Sequence, residues 1–125
     1  VQGKDAAGAL DLINSAKALD EAGAFLLVLE CIPDGLAAKI TQTVSMPTIG
    51  IGAGPDCDGQ VLVINDLLGL FEKFIPKFVK QYANLAPQIK QALAAYVREV
   101  KAGVFPAQEH CFSMNPAELE KLDLE

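Results

Sequence analysis

At 125 residues the chain has room for one domain, whereas a closed eight-stranded β/α barrel typically takes about 250 residues. Hydrophobic residues make up 51% of it and the net charge is −6, with a pI near 4.7; this suits a chain buried on several sides and argues against nucleic acid, which favours a basic face. The longest apolar run, residues 24–29, is far short of the roughly 20 residues of a spanning helix, so no membrane partner is expected. Three widely spaced cysteines, Cys31, Cys57 and Cys111, form an odd set without a secretion signal and fit the cytoplasm better than a disulfide framework.

The opening Val1-Gln2-Gly3-Lys4 reads as the middle of a loop, so a fragment of a longer protein is expected. Asp5 is placed to cap a helix whose apolar positions Leu10, Ile13, Ala16 and Leu19 lie three or four apart, with Gly23 as its stop. The run Phe25 to Leu29 does not alternate, which predicts a strand covered on both faces, as in a parallel sheet. Asp34 is expected to cap a second helix carrying Leu36, Ile40 and Val44. A second strand runs from Thr48 to Ile51 and breaks into Gly52-Ala53-Gly54, and Val61-Leu62-Val63-Ile64 makes a third apolar run.

Strand, helix, strand at this spacing is βαβ logic. Beyond residue 70 the pattern turns helical: Phe74, Phe78 and Tyr82 recur every four residues, and Ile89, Leu93, Val97 and Val100 form a stripe before Gly103. Asn115-Pro116 reads as an N-cap with proline at N1. Three strands cannot close a barrel and leave two unpaired edges, so the chain is expected to need the rest of its barrel or partner subunits.

Glu30 directly follows the first apolar run, where a strand leaves the sheet, and the carboxyl ends of parallel strands line active sites. A carboxylate half-buried there loses hydration and suits a general base; the plainer alternative is a loop carboxylate paired with Lys39. Gly50-Ile51-Gly52-Ala53-Gly54 lacks the third glycine of a dinucleotide fingerprint, because Pro55 follows. It reads instead as a strand end needing positive φ or close approach. Asp56-Cys57-Asp58-Gly59 misses the calcium-loop pattern and reads as a turn. His110, the single histidine, reads as structural rather than as a zinc ligand, and Lys73, Lys77 and Lys80 as a solvated helix stripe.

Taken together, Leu27-Val28-Leu29-Glu30-Cys31-Ile32-Pro33, Pro47 to Gly54, Asp58 to Val63, Pro76-Lys77-Phe78 and Gly103-Val104-Phe105-Pro106 with Glu109-His110 resemble the ketopantoate hydroxymethyltransferase family over about residues 1–112. The resemblance implies an α/β fold, part of a (β/α)8 TIM barrel of the phosphoenolpyruvate/pyruvate type. The chain would supply about its last three βα units over residues 1–72, with carboxy-terminal helices and tail over 73–125. It also implies transfer of a hydroxymethyl group from 5,10-methylenetetrahydrofolate to 3-methyl-2-oxobutanoate, giving 2-dehydropantoate, with Glu30 matching the family's base. The Mg2+ of the family would be bound by residues of an amino-terminal part outside this chain, so Asp56, Asp58 and Asp66 are not assigned to it. The family's homo-oligomers, decamers, imply that the helices after Phe74 pack on neighbouring subunits. The competing readings are another magnesium-dependent 2-oxo-acid lyase or mutase, and a non-catalytic truncated subunit or fragment lacking the metal site. Residues 113–125 carry no assigned function.

Overall fold

The computed structural model describes residues 1–122, and these form two compact units, residues 1–85 and the described residues from 86 on. The first unit opens with α1, Ala6–Glu21, where Asp5 accepts a hydrogen bond from the Gly8 N–H at 2.7 Å. It stops where Gly23 takes a φ of +85° and the Ala24 N–H closes on the Leu19 carbonyl. The buried face of α1 keeps half of the predicted one: Ile13 and Ala16 pack on the core as expected, joined by Ala9 and Leu12, while Leu10 and Leu19 are exposed. Both sets have helical spacing, and only the sheet decides which of them turns inward.

Strand β1, Leu27–Glu30, leads through α2, Asp34–Thr43, to β2, Thr48–Ile51, which pairs with it in parallel. Asp34 is the first residue of α2 rather than its cap; Pro33 holds that position, and the Asp34 carboxylate accepts from the Gly35 N–H instead. Leu36, Ala37 and Ile40 of α2 close over Leu29, with Ala16 and Ala53 completing the core. The two-sided burial expected for β1 is corrected, because its residues alternate: Leu29 is buried while Val28 and Glu30 are exposed. Side chains alternate along a strand whatever their hydrophobicity, and here helices cover one face only.

The third strand lies earlier than predicted. β3 is Gly59–Gln60, beside β2 in the order β1-β2-β3, and the Val61 N–H adds one bond to the Gly50 carbonyl before Ile64–Leu67 coils into α3. The β2–β3 connection, residues 52–58, contains no helix. What pulls β3 into place is Asp58, whose carboxylate accepts from the Thr48 N–H at 2.8 Å and the Thr48 hydroxyl at 3.0 Å. The Asp58 N–H returns a bond to the same hydroxyl at 3.2 Å. A hydroxyl has one proton, already given to Asp58, so Thr41 is the donor in its 2.9 Å bond to Thr48. Thr48 is wholly buried, so Thr48→Val, which leaves two donors without their acceptor, is expected to cost about 1–3 kcal/mol in urea unfolding. An unchanged midpoint would show that the network contributes nothing.

The helix predicted over Phe74, Phe78 and Tyr82 is absent from the structure. Residues 70–85 form an irregular strap with one turn closed by the Val79 N–H on the Pro76 carbonyl. Pro76 lacks the donor a helix interior needs, and the strap ends on α3 through Tyr82 to Leu67 at 2.8 Å and Leu85 to Leu68 at 3.0 Å. The lysines are therefore no helix stripe; Lys80 lies 4.9 Å over the Tyr82 ring.

In the second unit, α4 spans Ala86–Lys101 and carries the predicted stripe, its last turn placing Arg98 and Lys101 against the negative end of the helix dipole. Ile89, Leu93, Val97 and Val100 are all exposed along one stripe. Gly103 ends the helix with a φ of +67°. The Phe105 ring then sits 5.7 Å from Tyr96 and 5.0 Å from His110. A last short helix, α5, Pro116–Leu119, is capped by Asn115 as the sequence predicts.

Candidate active site

Glu30 is the last residue of β1 and pairs with Ile51, the last of β2. Paired residues of a parallel ladder share a face, so Val28, Ile49, Glu30 and Ile51 form the side of the sheet opposite the helices. Glu30 thus stands at the carboxyl end of a parallel strand, on the uncovered face. Its carboxylate is exposed rather than half-buried. Among the described residues no hydrogen bond or salt bridge engages it, so the pairing with Lys39 does not form.

A cavity of about 490 Å³ adjoins Glu30, lined on the α1 side by Leu12, Ser15 and Leu19. Every residue from Leu27 to Ile32 lines it. A cavity touching both faces of a strand follows its edge, and β1 is an edge strand of the sheet. Glu30 therefore faces open space on two sides, the uncovered face and the unpaired edge.

Immediately after Glu30, Cys31 adopts a φ of +52°, the left-handed region that costs a residue with a Cβ about 1–2 kcal/mol. Its N–H still bonds the Ile51 carbonyl at 2.9 Å, and its carbonyl accepts from the Gln2 N–H at 3.3 Å. The chain thus turns sharply one bond past the base candidate. Across from it the glycine segment turns at the same end of the sheet, with φ of +65° at Gly52 and +82° at Gly54. A methyl group on Gly54 would collide with the Cβ of Asp34 at the start of α2, and one on Gly52 would sit 2.8 Å from the Phe78 ring. The segment is a close-approach turn, as its glycines predict, and no helix opens from it.

Asp58 works at the opposite end of β2, on Thr48, and these hydrogen bonds, the Thr48 N–H foremost, hold its carboxyl below the usual carboxylate range. Asp20 is lowered likewise by the Ser45 N–H at 2.7 Å and hydroxyl at 2.9 Å. Groups lowered in the folded state stabilise it above their unfolded pKa, near 3.9, and that contribution is lost as pH falls through the folded value. The first unit is therefore expected to lose stability below about pH 4. Asp58→Asn should blunt that loss in an acid titration followed by circular dichroism, whereas an unaltered acid midpoint would contradict the role given to Asp58.

His110 is in the second unit, its Nδ1 accepting from the Ala107 N–H at 3.1 Å and its Nε2 3.7 Å from Glu109. Sequence reasoning missed the Asp58–Thr48–Thr41 network and the left-handed Cys31. The first was signalled by an aspartate just before the third strand, and the second by nothing, since cysteine has no preference for that conformation.

Residues 1–108 match the family model described as ketopantoate hydroxymethyltransferase. The chain belongs to this family. Among curated relatives named 3-methyl-2-oxobutanoate hydroxymethyltransferase, that of Syntrophomonas wolfei is 57% identical over 122 residues, covering 98% of this chain and 44% of the relative. The Enterococcus faecalis relative is 55% identical over the same shares, and the Desulfotalea psychrophila relative is 60% identical over 90% of this chain and 40% of its own length. The chain thus spans less than half the length of the relatives it matches. Its small parallel sheet with helices is consistent with part of a TIM barrel. Among the described residues no helix is long and apolar enough to cross a membrane.

Proposed function

We propose that this chain provides the carboxy-terminal strands and the base of an enzyme of pantothenate synthesis. Its reaction would be transfer of a hydroxymethyl group from 5,10-methylenetetrahydrofolate, as co-substrate, to 3-methyl-2-oxobutanoate, giving 2-dehydropantoate. The observation that carries the reading is Glu30 at the carboxyl end of β1, on the face away from the helices, in a chain of this family. C3 of the 2-oxo acid bears a proton made acidic by the neighbouring carbonyl. The Glu30 carboxylate accepts it, the electron pair moves toward the carbonyl as an enolate, and C3 becomes the nucleophile that bonds the one-carbon unit. One water is consumed: both carbon–nitrogen bonds to folate break, the nitrogens take up protons as tetrahydrofolate leaves, and the water oxygen stays on the carbon as the new hydroxyl. Exposure of Glu30 in the described residues leaves its carboxylate accessible to a substrate.

The uncovered face and the free edge of β1 fit the interior and the seam of a (β/α)8 barrel, whose remaining strands would come from an amino-terminal part such as the relatives carry. Among the described residues no cluster of three or more His, Cys, Asp or Glu side chains is placed to hold a metal ion. The magnesium implied by the family resemblance therefore does not fit this chain's own residues, and the chain's share of the chemistry is the proton. The exposed stripe of α4 suits packing on a neighbouring copy in a homo-oligomer. The three free thiols suit the reducing cytoplasm.

The test is a chimera in which this chain follows the amino-terminal part of the Syntrophomonas wolfei relative. Product is expected with methylenetetrahydrofolate and none without it. Turnover independent of folate would replace this reading with another 2-oxo-acid reaction.

A further inference from the structure

We infer that Phe78 is a positioning residue for Glu30: its ring, lying on Gly52, holds Cys31 in the left-handed conformation and so fixes the direction in which β1 presents the carboxylate. The inference rests on the reading of Glu30 as the base. A Cβ built on Gly52 would lie 2.8 Å from Phe78 Cδ1, 2.9 Å from Cγ and 3.4 Å from Cys31 Sγ. Ring and thiol therefore both border the same bare backbone, where only glycine leaves space, and sulfur packs well against an aromatic ring.

Cys31 needs such support. Its φ of +52° is unfavourable for a residue with a Cβ, and a strained conformation persists only where the surroundings enforce it. The Ile51 carbonyl and the Gln2 N–H hold its peptide groups, and the Phe78 ring borders the same glycine as its thiol. The ring has no comparable role in the core: Phe78 is 37% exposed and lies outside the buried cluster. It reaches Gly52 from a strap tied to α3 by Tyr82 and Leu85, so its placement does not depend on Glu30 or Cys31. A change at Cys31 would loosen the bond from its N–H to the Ile51 carbonyl, the last rung holding the backbone that carries Glu30.

Two measurements test this. In the chain itself, alkylation by iodoacetamide is mapped at each thiol, with Cys57 and Cys111 as internal references. Phe78→Ala is expected to speed alkylation of Cys31 severalfold and leave the references unchanged, whereas an unchanged Cys31 rate overturns the inference. Should all three thiols react faster together, Phe78→Leu decides, with protection of Cys31 supporting the role and its loss overturning it. In the chimera, Phe78→Ala should lower kcat by roughly 10- to 100-fold with KM little changed. Cys31→Gly should remove most of that penalty, because glycine stays left-handed without a wedge; an undiminished penalty overturns the inference. An inactive chimera counts against the proposed function, and the alkylation pattern then decides this inference alone.

Discussion

Glu30→Gln in the chimera is expected to lower kcat by about 10²- to 10⁴-fold. The amide keeps the size and the hydrogen-bonding reach of the side chain but cannot accept a proton as a base. Glu30 is exposed, and among the described residues no hydrogen bond or salt bridge engages its side chain, so the substitution disturbs no partner and should leave the fold intact. KM should change much less than kcat, since the lost step follows binding. Turnover like that of the unmodified chimera would reject Glu30 as the base, whatever the family.

Ile40→Ala is the largest expected effect on the fold. Ile40 is 1% exposed, one of the two largest fully buried side chains, and it stands on α2 among Ala16, Leu29 and Leu36. Truncating a buried isoleucine to alanine costs about 2–5 kcal/mol through lost transfer energy and the cavity left behind. Domains are stable by only about 5–15 kcal/mol, so the urea midpoint should fall steeply or the first unit should fail to fold. Leu10→Ala, on the exposed face of α1, should stay within about 0.5 kcal/mol. Equal effects of the two would mean that α1 and α2 bury other faces than those described.

Much of this arrangement was legible in the residues. Asp5 and Gly23 bracketed α1, β1 and β2 fell where the apolar runs end in Glu30 and in the glycines, and α4 followed its stripe. What failed did so where a local pattern met a nonlocal or backbone constraint. The four-residue recurrence of Phe74, Phe78 and Tyr82 has a helical period, but Pro76 between them withholds a donor. Val61 to Ile64 looks like a strand, yet Asp58 draws Gly59 and Gln60 into the ladder first, and a side chain reaching back to Thr48 leaves no periodic trace. Apolar uniformity in β1 likewise predicted burial on both faces, when a single chain of three strands can cover only one. For the site, the position of Glu30 at a strand end was legible from where the apolar run stops; its exposure and the left-handed turn at Cys31 were not, because both depend on what packs around the strand.

The central claim is proton abstraction from carbon, and it is measured most directly by exchange. The chimera is incubated with 3-methyl-2-oxobutanoate in D2O without folate, and deuterium at C3 is followed by proton NMR. Incorporation is expected to depend on the protein and to be lost in Glu30→Gln. Exchange in that variant at the rate of the unmodified protein would contradict the account.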